Sequence, residues 1–558
     1  MSEPSFVTHE VTNQSPPFEG LNLFMTDAAL GEAVAREGAA DAVPDLTEFG
    51  ALMGGAESFE TGRLANEHPP RLRRYDQKGF PADIVEFHPA YHQAMTRSFE
   101  AGLHCSAWDH LKTPGRPPAR GAQVARLARL YMTTQAEPGH LCPVTMTNAA
   151  VPTLAKQPEI AETLLPKILS RAYDRSFRPL HEKTAITVGM GMTEKQGGTD
   201  VRANTTRAAP IDGGGPGAAY RLVGHKWFLS APMCDAFLML AQAPGGLSCF
   251  LVPRLLPDGS VNPLRLQRLK EKLGNRSNAS SEVELEGVEG RLIGEEGRGI
   301  ANIIEMVTLT RLDCAVASAG QMRLALALAI HHCRHRSVFQ KRLADQPLMA
   351  QVLADMAVDV EAATALAFRL AGSFERAGHD EEAAAWRRLM TPVTKYWVCK
   401  MAPALGYEAM ECLGGNGYVE EGLAARLYRE LPLNAIWEGS GNVMCLDVLR
   451  VLSQDPAAAE SVMASLEDLA GGDRRIEALL NDLKEMLRAP GGLETRGRQF
   501  VEGLARTAAA ALLRRHASPA VADTFVGSRL RGEFRHTYGA GPAAADCRKI
   551  LERALTPK

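Results

Sequence analysis

The stretch Gly189-Met190-Gly191-Met192-Thr193-Glu194-Lys195-Gln196-Gly197-Gly198-Thr199-Asp200 lies where the periodicity of the chain changes. Before it, from about residue 27 to residue 183, apolar residues recur at helical spacing. Over 123–135, for example, Val124, Leu127, Ala128, Leu130 and Tyr131 are spaced as in a helix. After it, short β-rich runs at 220–230, 236–242 and 247–253 are separated by Gly and Pro turns. Glu282-Val283-Glu284-Leu285-Glu286 alternates strictly, as a strand with one wet face does. Residues 212–217, DGGGPG, read as the loop of a hairpin. The glycines of the 189–200 stretch let backbone N–H groups come close to a phosphate or a planar ring, and its two threonines add donors. A surface loop between domains fits the same spacing. A Rossmann turn does not, because no parallel βαβ pattern surrounds it.

Helical periodicity returns near residue 300, with long segments over 310–334, 349–377 and 381–405. Asp455-Pro456 marks a break, since the residue before proline is pushed away from helix, and a further helical stretch runs to residue 558. The expected organisation is a helical domain over 1–183, an antiparallel β domain (sandwich or barrel) over 184–294, a helical bundle over 295–454 and an additional basic helical domain over 455–558. The fold class is therefore α+β multidomain.

The 558 residues are 45% hydrophobic and 23% charged, with a formal net charge of −3, the profile of a soluble protein with large cores. No run nears the roughly 18 apolar residues of a membrane span, and the first residues lack the basic start and apolar stretch of a secretory signal. The expected location is the cytoplasm. Ten cysteines without a CxxC pair suit reduced thiols better than a disulfide framework.

Three more motifs carry chemistry. Trp437-Glu438-Gly439-Ser440-Gly441-Asn442 sets a carboxylate on a Gly-flanked turn, as a general base or beside a helix N-cap. Leu413-Gly414-Gly415-Asn416-Gly417-Tyr418 could lie against a diphosphate or simply end a helix. His331, His332, Cys333 and His335 cluster, but no acidic partner or second ligand pair lies nearby, so no metal site is expected. Arg334 and Arg336 in that stretch are candidates for phosphate contacts.

In this order, across a helical–β–helical layout, the motifs resemble those of the acyl-CoA dehydrogenase family over roughly residues 20 to 453. The family's flavin loop is matched by Thr193, Glu194 and Gly198-Thr199-Asp200, and its Lys-Trp-Ile-Thr strand by Lys226-Trp227-Phe228-Leu229-Ser230. The Gly-Gly-x-Gly-Tyr turn that meets a neighbouring subunit's flavin is matched by Gly414 to Tyr418. The loop bearing the catalytic base is matched at Trp437, Glu438, Gly439 and Ser440. The resemblance implies FAD as cofactor, held by Met190, Met192, Thr193, Gly198, Thr199, Trp227, Phe228 and Ser230. It further implies contacts from Arg336, Phe339, Gly414, Gly415, Ile436, Trp437, Ser440 and Asn442, and a homotetramer. Glu438 would take the α proton of a thioester such as an acyl-CoA, while hydride passes to flavin N5.

Four positions depart from the family pattern. Gln340 replaces the glycine of an Arg-x-x-Phe-Gly segment, Thr310 stands where some members carry the base, and Trp437 with Asp313 would reshape the acyl pocket. Weak activity on ordinary acyl-CoA is the expectation. Finer matches at Lys272 to Ser280 and over 436–446, with the extra helical tail, resemble a branch tied to the bacterial response to alkylating agents and to duplex DNA.

From residue 496 to 558, twelve Lys and Arg face five Asp and Glu, a surplus of seven. Phe500, Val501, Leu504, Ala508, Ala511 and Leu512 share one arc of a helix, with Arg496, Arg498, Arg506 and Arg514 on the remaining face. Together with Arg515, Arg529 and Arg531 these are the candidate DNA contacts, without a base-reading motif. A solvated basic face is the plainer alternative. Two function classes follow: a flavin dehydrogenase, and a DNA-binding protective flavoprotein with vestigial dehydrogenase activity.

Overall fold

A computed structural model describes residues 6–488, 491–530, 537–539 and 546–556. Up to residue 187 the chain is helical except for one hairpin, β1 (Arg71–Tyr75) with β2 (Pro81–Glu86). The all-helical expectation for 1–183 missed this hairpin. Arg71, Arg73, Tyr75 and Glu86 all face solvent, so little apolar alternation marks it, and Arg73 and Glu86 pair across it at 2.8 Å. Helix Ala122–Ala136 is buried almost throughout and crosses helix Gly299–His335 closely. Glycine is required at that crossing, because a Cβ on Gly320 would stand 2.4 Å from the Tyr131 carbonyl oxygen.

The central domain holds β3 (Val188–Gly191), β4 (Arg207–Pro210), β5 (Ala219–Ser230), β6 (Ala236–Ala243), β7 (Gly246–Pro253), β8 (Leu264–Leu269) and β9 (Ser280–Ile293). Pairings β6–β4, β4–β5, β5–β9, β9–β7 and β7–β6 close a ring, so the domain is a barrel, with β3 added to β6 and β8 to β9. The sequence predicts antiparallel pairing, but β3 and β4 run parallel to β6. Each is separated from β6 by a long stretch of chain, as parallel neighbours must be.

Helices Gly299–His335, Pro347–Arg376 and Glu381–Cys412 form the following bundle. Helix Gly441–Gln454 then gives way to helix Pro456–Ala470, whose first turn is capped by Asp455 Oδ1 accepting from the Ala458 N–H at 3.1 Å. Leu466, Leu480, Phe500, Leu504 and Phe525 of the tail lie in one continuous core with Val316, Leu366, Trp386 and Trp397 of the bundle. The tail is therefore built onto the bundle's hydrophobic interior.

Glu137 ties the N-terminal helices to the barrel. Its Oε1 accepts from Ser277 Oγ at 2.6 Å, the Gly139 N–H at 2.9 Å and Asn66 Nδ2 at 3.1 Å. Its Oε2 accepts from the His140 N–H at 2.8 Å and lies 2.6 Å from His140 Nδ1. Burial alone would raise this carboxyl, yet the His140 and Ser277 hydrogen bonds outweigh it and hold the pKa at about 2. The stability linked to that depression is complete above the ordinary carboxyl value of 4.5 and is lost as pH falls through about 2. Glu137→Gln should therefore lower unfolding stability by about 2 to 3 kcal/mol at pH 7. In urea unfolding followed against pH, the gap should close toward pH 2; equal stabilities at pH 7 would remove Glu137 from this role.

Candidate active site

The 189–200 loop leaves β3 and is fastened to the barrel by a buried ion pair. Lys226 Nζ donates to Glu194 Oε1 and to the Leu240 carbonyl, each at 2.8 Å. Glu194 Oε2 accepts from the Thr205 N–H at 2.7 Å. Burial raises the Glu194 carboxyl, but Lys226 and the Thr205–Thr206 donors carry it well below the usual range. Glu194 is thus an anchor for the loop. The Trp227 N–H donates to the Thr193 carbonyl at 2.9 Å, which brings the loop against β5. Gly198 folds over Thr193, and a Cβ there would meet Thr193 Oγ1 at 2.4 Å. Met190, Met192, Thr193, Trp227 and Ser230 are half-buried around this junction, while Gly198, Thr199 and Phe228 are exposed. The structure therefore gathers the eight residues predicted for one side of a flavin. Lys270 caps the ring faces, its Nζ 3.2 Å from the Trp227 centroid and 4.6 Å from that of Phe228.

At the end of β5, Ser230 Oγ lies 3.4 Å from Ser280 Oγ. Lys272, to which the sequence assigned no role, donates to Ser280 Oγ at 3.1 Å and to the Asn278 carbonyl at 2.6 Å. Burial lowers its ammonium to about 8. The Cys142 thiol, pushed up to about 11 by burial, senses Lys272, Asn278, Glu438 and Ser230. Trp437, Met190 and Met192 pack on the same apolar cluster, so the Glu438 turn and the loop face one region.

Glu438 has φ of +56°, an uncommon conformation for a side chain of its size. Two helices hold it there. Lys395 Nζ donates to the Trp437 carbonyl at 2.8 Å and to that of Gly439, and Arg311 Nε donates to the Glu438 carbonyl at 3.0 Å. Arg311 is balanced by Asp447 at 2.7 Å. Thr310 Oγ1 lies 2.7 Å from Glu438 Oε2. Burial raises the Glu438 carboxyl, opposed by the Thr310 hydrogen bond and by Arg311 and Lys395. Trp437 Nε1 donates to Asn434 Oδ1 at 2.8 Å, fixing the ring. Asp313, which the sequence predicts would reshape the acyl pocket, is instead taken up by a buried ion pair. Arg126 takes both its oxygens, at 2.8 and 2.5 Å, in a fully buried pair.

Apart from Trp437, the second group of predicted cofactor residues lies toward the surface. After Arg336 the chain forms a two-residue hairpin, β10 (Ser337–Val338) with β11 (Lys341–Arg342), whose tip residues Phe339 and Gln340 both have positive φ. Gln340, where the family resemblance leads one to expect glycine, thus takes a left-handed conformation that glycine adopts most easily. Phe339 is 92% exposed, and Arg336 donates to the Asn13 carbonyl at 2.7 Å. Gly414 and Gly415 have no atom within 4 Å of where a Cβ would lie, and Gly414 has φ of +61°. Ile436, Ser440 and Asn442 are exposed.

Several candidate cations are spent elsewhere. Arg334 donates to the Leu551 and Leu555 carbonyls, not to a ligand. His331 Nε2 lies 2.8 Å from the Pro16 carbonyl, and His332 Nδ1 3.2 Å from Ser15 Oγ, so these rings pin the N-terminal segment. Among the described residues no group of three His, Cys, Asp or Glu could hold a metal.

Helix Gly497–His516 is covered on most of its circumference, so the predicted outward row is incomplete. Arg514 pairs with Asp473 and Asp523, at 2.9 and 2.8 Å. Arg529 is 3% exposed between Asp355 and Asp359, which removes it from any DNA contact. Arg496 and Arg506 are half-buried, Arg498 and Arg515 are exposed, and Arg531 lies outside the described residues.

Family models agree with this architecture. The adaptive response protein AidB N-terminal domain matches residues 13–175, the acyl-CoA dehydrogenase middle domain 189–288 and its C-terminal domain 297–453. AidB of Escherichia coli (strain K12) is 47% identical over 519 residues, 93% of this chain and 94% of that protein. The crystal structure of Caenorhabditis elegans ACDH-11 in complex with C11-CoA superposes with a TM-score of 0.84 at 28% identity, covering 100% of this chain and 94% of that one. The acyl-CoA dehydrogenase from Bacillus anthracis, complexed with FAD, shares the fold with a TM-score of 0.63 at 18% identity, covering 84% of this chain and 81% of that one. No helix among the described residues is long and apolar enough to cross a membrane. With the barrel between two helical layers, the clamped Glu438 turn and these matches together, the chain belongs to the acyl-CoA dehydrogenase family, on its AidB branch.

Proposed function

We propose that the chain is an FAD-dependent dehydrogenase acting on an acyl-CoA thioester or another small apolar substrate, with Glu438 as the base. The observation that carries this reading is the Glu438 carboxyl itself, raised by burial, oriented by Thr310 and set on a turn held by Arg311 and Lys395. The C11-CoA bound by the Caenorhabditis elegans relative supports a thioester substrate.

The residues fit FAD. Gly198 admits the curl over Thr193, Gly414 and Gly415 offer open backbone, and Trp227 and Phe228 present ring surface. Met190, Met192, Thr193, Gly198, Thr199, Trp227, Phe228 and Ser230 would hold the group on one subunit. Arg336, Phe339, Gly414 and Gly415 would reach it from a neighbour in a homotetramer, with Ile436, Trp437, Ser440 and Asn442 nearby. A 92%-exposed Phe339 at the tip of a positive-φ turn supports such an interface. When bound, FAD supplies the hydride acceptor. The chain's own part is to take the α proton at Glu438 and to steady the charge growing on the thioester oxygen with the Glu438 N–H.

Anaerobic mixing with straight and branched acyl-CoAs, followed by flavin absorbance, tests this. Glu438→Gln should slow bleaching by about 10²- to 10⁴-fold with flavin retained. Because burial raises the carboxyl, the rate should climb with pH on a limb lying above 4.5. Bleaching that survives the substitution would end the assignment of Glu438.

Binding of duplex DNA in a response to alkylation, with dehydrogenation vestigial, is the second reading. It is supported by the similarity to AidB and by the exposed Arg498 and Arg515 within a stretch that carries a cationic surplus. Replacing both with Ala should reduce the slope of log affinity against log salt by about 2. An unchanged slope would remove these arginines from the footprint.

A further inference from the structure

Thr310 lies on helix Gly299–His335, and its hydroxyl has two acceptors and one proton. Glu438 Oε2 is 2.7 Å away and the Val307 carbonyl 2.9 Å. The hydroxyl can donate to only one of them at a time. While Glu438 is ionised the carboxylate wins, because it is nearer and a charge-assisted hydrogen bond is about twice as strong as a neutral one. Oε2 is then occupied, and Oε1 is the oxygen left to meet a substrate proton.

We propose that Thr310 is a positioning residue, a latch that grips the Glu438 carboxyl only while that group carries its charge. This rests on the reading of Glu438 as the base. In the proton-transfer step the α C–H bond breaks, its electron pair stays with the substrate, and the proton bonds to Oε1. Oε2 becomes a neutral carbonyl oxygen, no better an acceptor than Val307. The Thr310 proton can then turn back to Val307, and the neutral acid is released to rotate and pass its proton to water. The latch both aims the base and sets when it lets go.

The other charged and titratable groups around Glu438 are Arg311, Lys395 and two cysteine thiols. Arg311 is held by Asp447 and the Glu438 carbonyl, and Lys395 by the carbonyls of Trp437 and Gly439. The Cys142 and Cys314 thiols are pushed up by burial and stay protonated near neutrality. The proton-transfer step changes the charge of Glu438. A hydrogen bond to its ionised form opposes the desolvation that raises it, so losing Thr310 must raise the carboxyl further.

The test uses the flavin-loaded protein carrying Thr310→Val, with Thr310→Ala as a second variant, Thr310→Ser as the conservative one and Glu438→Gln as the reference. Two readouts are followed against pH: the rate of anaerobic flavin bleaching by an acyl-CoA, and the long-wavelength absorbance formed with a 3-thia-acyl-CoA. The analogue's acidified α proton can be taken without hydride transfer. Thr310→Val should move both profiles up by about one pH unit and slow bleaching about tenfold on the rising limb. The flavin should stay bound, and Thr310→Ser should restore the natural profile. Unshifted profiles in both Thr310→Val and Thr310→Ala, or a serine variant as impaired as valine, would overturn the latch while Glu438→Gln still slows bleaching as expected of the base. Bleaching that survives Glu438→Gln overturns the base assignment first, and the latch with it.

Discussion

Three consecutive carbonyl oxygens, those of Trp437, Glu438 and Gly439, each accept from a cation on a long helix. Lys395 serves the outer two and Arg311 the middle one. A non-glycine residue at φ +56° costs about 1 to 3 kcal/mol. Hydrogen bonds to charged groups contribute about 1.5 to 3 kcal/mol each, so three of them outweigh that strain. The same two cations favour the ionised carboxylate on the turn they hold. Conformation and charge of the base are therefore set by one arrangement, which needs helices Gly299–His335 and Glu381–Cys412 packed side by side.

That arrangement sits in a molecule that buries charge repeatedly and in pairs. Arg126 with Asp313 and Lys226 with Glu194 are almost wholly removed from water, as is the Glu137 carboxylate. Desolvating two ions costs several kcal/mol each, and only close geometry with further hydrogen bonds offsets it. Here the extra donors are present: Glu194 also accepts from the Thr205 and Thr206 N–H groups, and Glu137 from Ser277, Gly139 and Asn66. Each pair also ties one layer or loop to the next. Breaking one should disturb register between layers as well as stability.

The basic tail shows how composition and surface part company. Its cationic surplus is real, yet Arg529 and Arg514 are consumed by aspartates, one of them deep in the core. Helix Gly497–His516 carries its alanines and leucines into a shared interior. A charge count weights a buried guanidinium and an exposed one equally, whereas only the exposed one can release counterions from a phosphate.

The layer order, four of the β domain's seven strands (β5, β6, β7 and β9) and the two glycine turns were legible in the residues alone. Those features follow from local periodicity and from backbone freedom at single residues. Most of the residues that the family resemblance sets beside a flavin lie close together because they fall within one loop and one strand. The β1–β2 hairpin was not, because its exposed charged side chains leave little apolar alternation. Only the tertiary structure decided what Glu438 touches. Thr310 is 128 positions away from it, Arg311 is 127, and Arg126 is 187 from Asp313. Lys395 shares its helix with Arg387, Arg388 and Lys400, so nothing in the sequence set it apart from them. Which carbonyl a buried cation meets depends on how two helices cross, and that is set by the packing of the whole core.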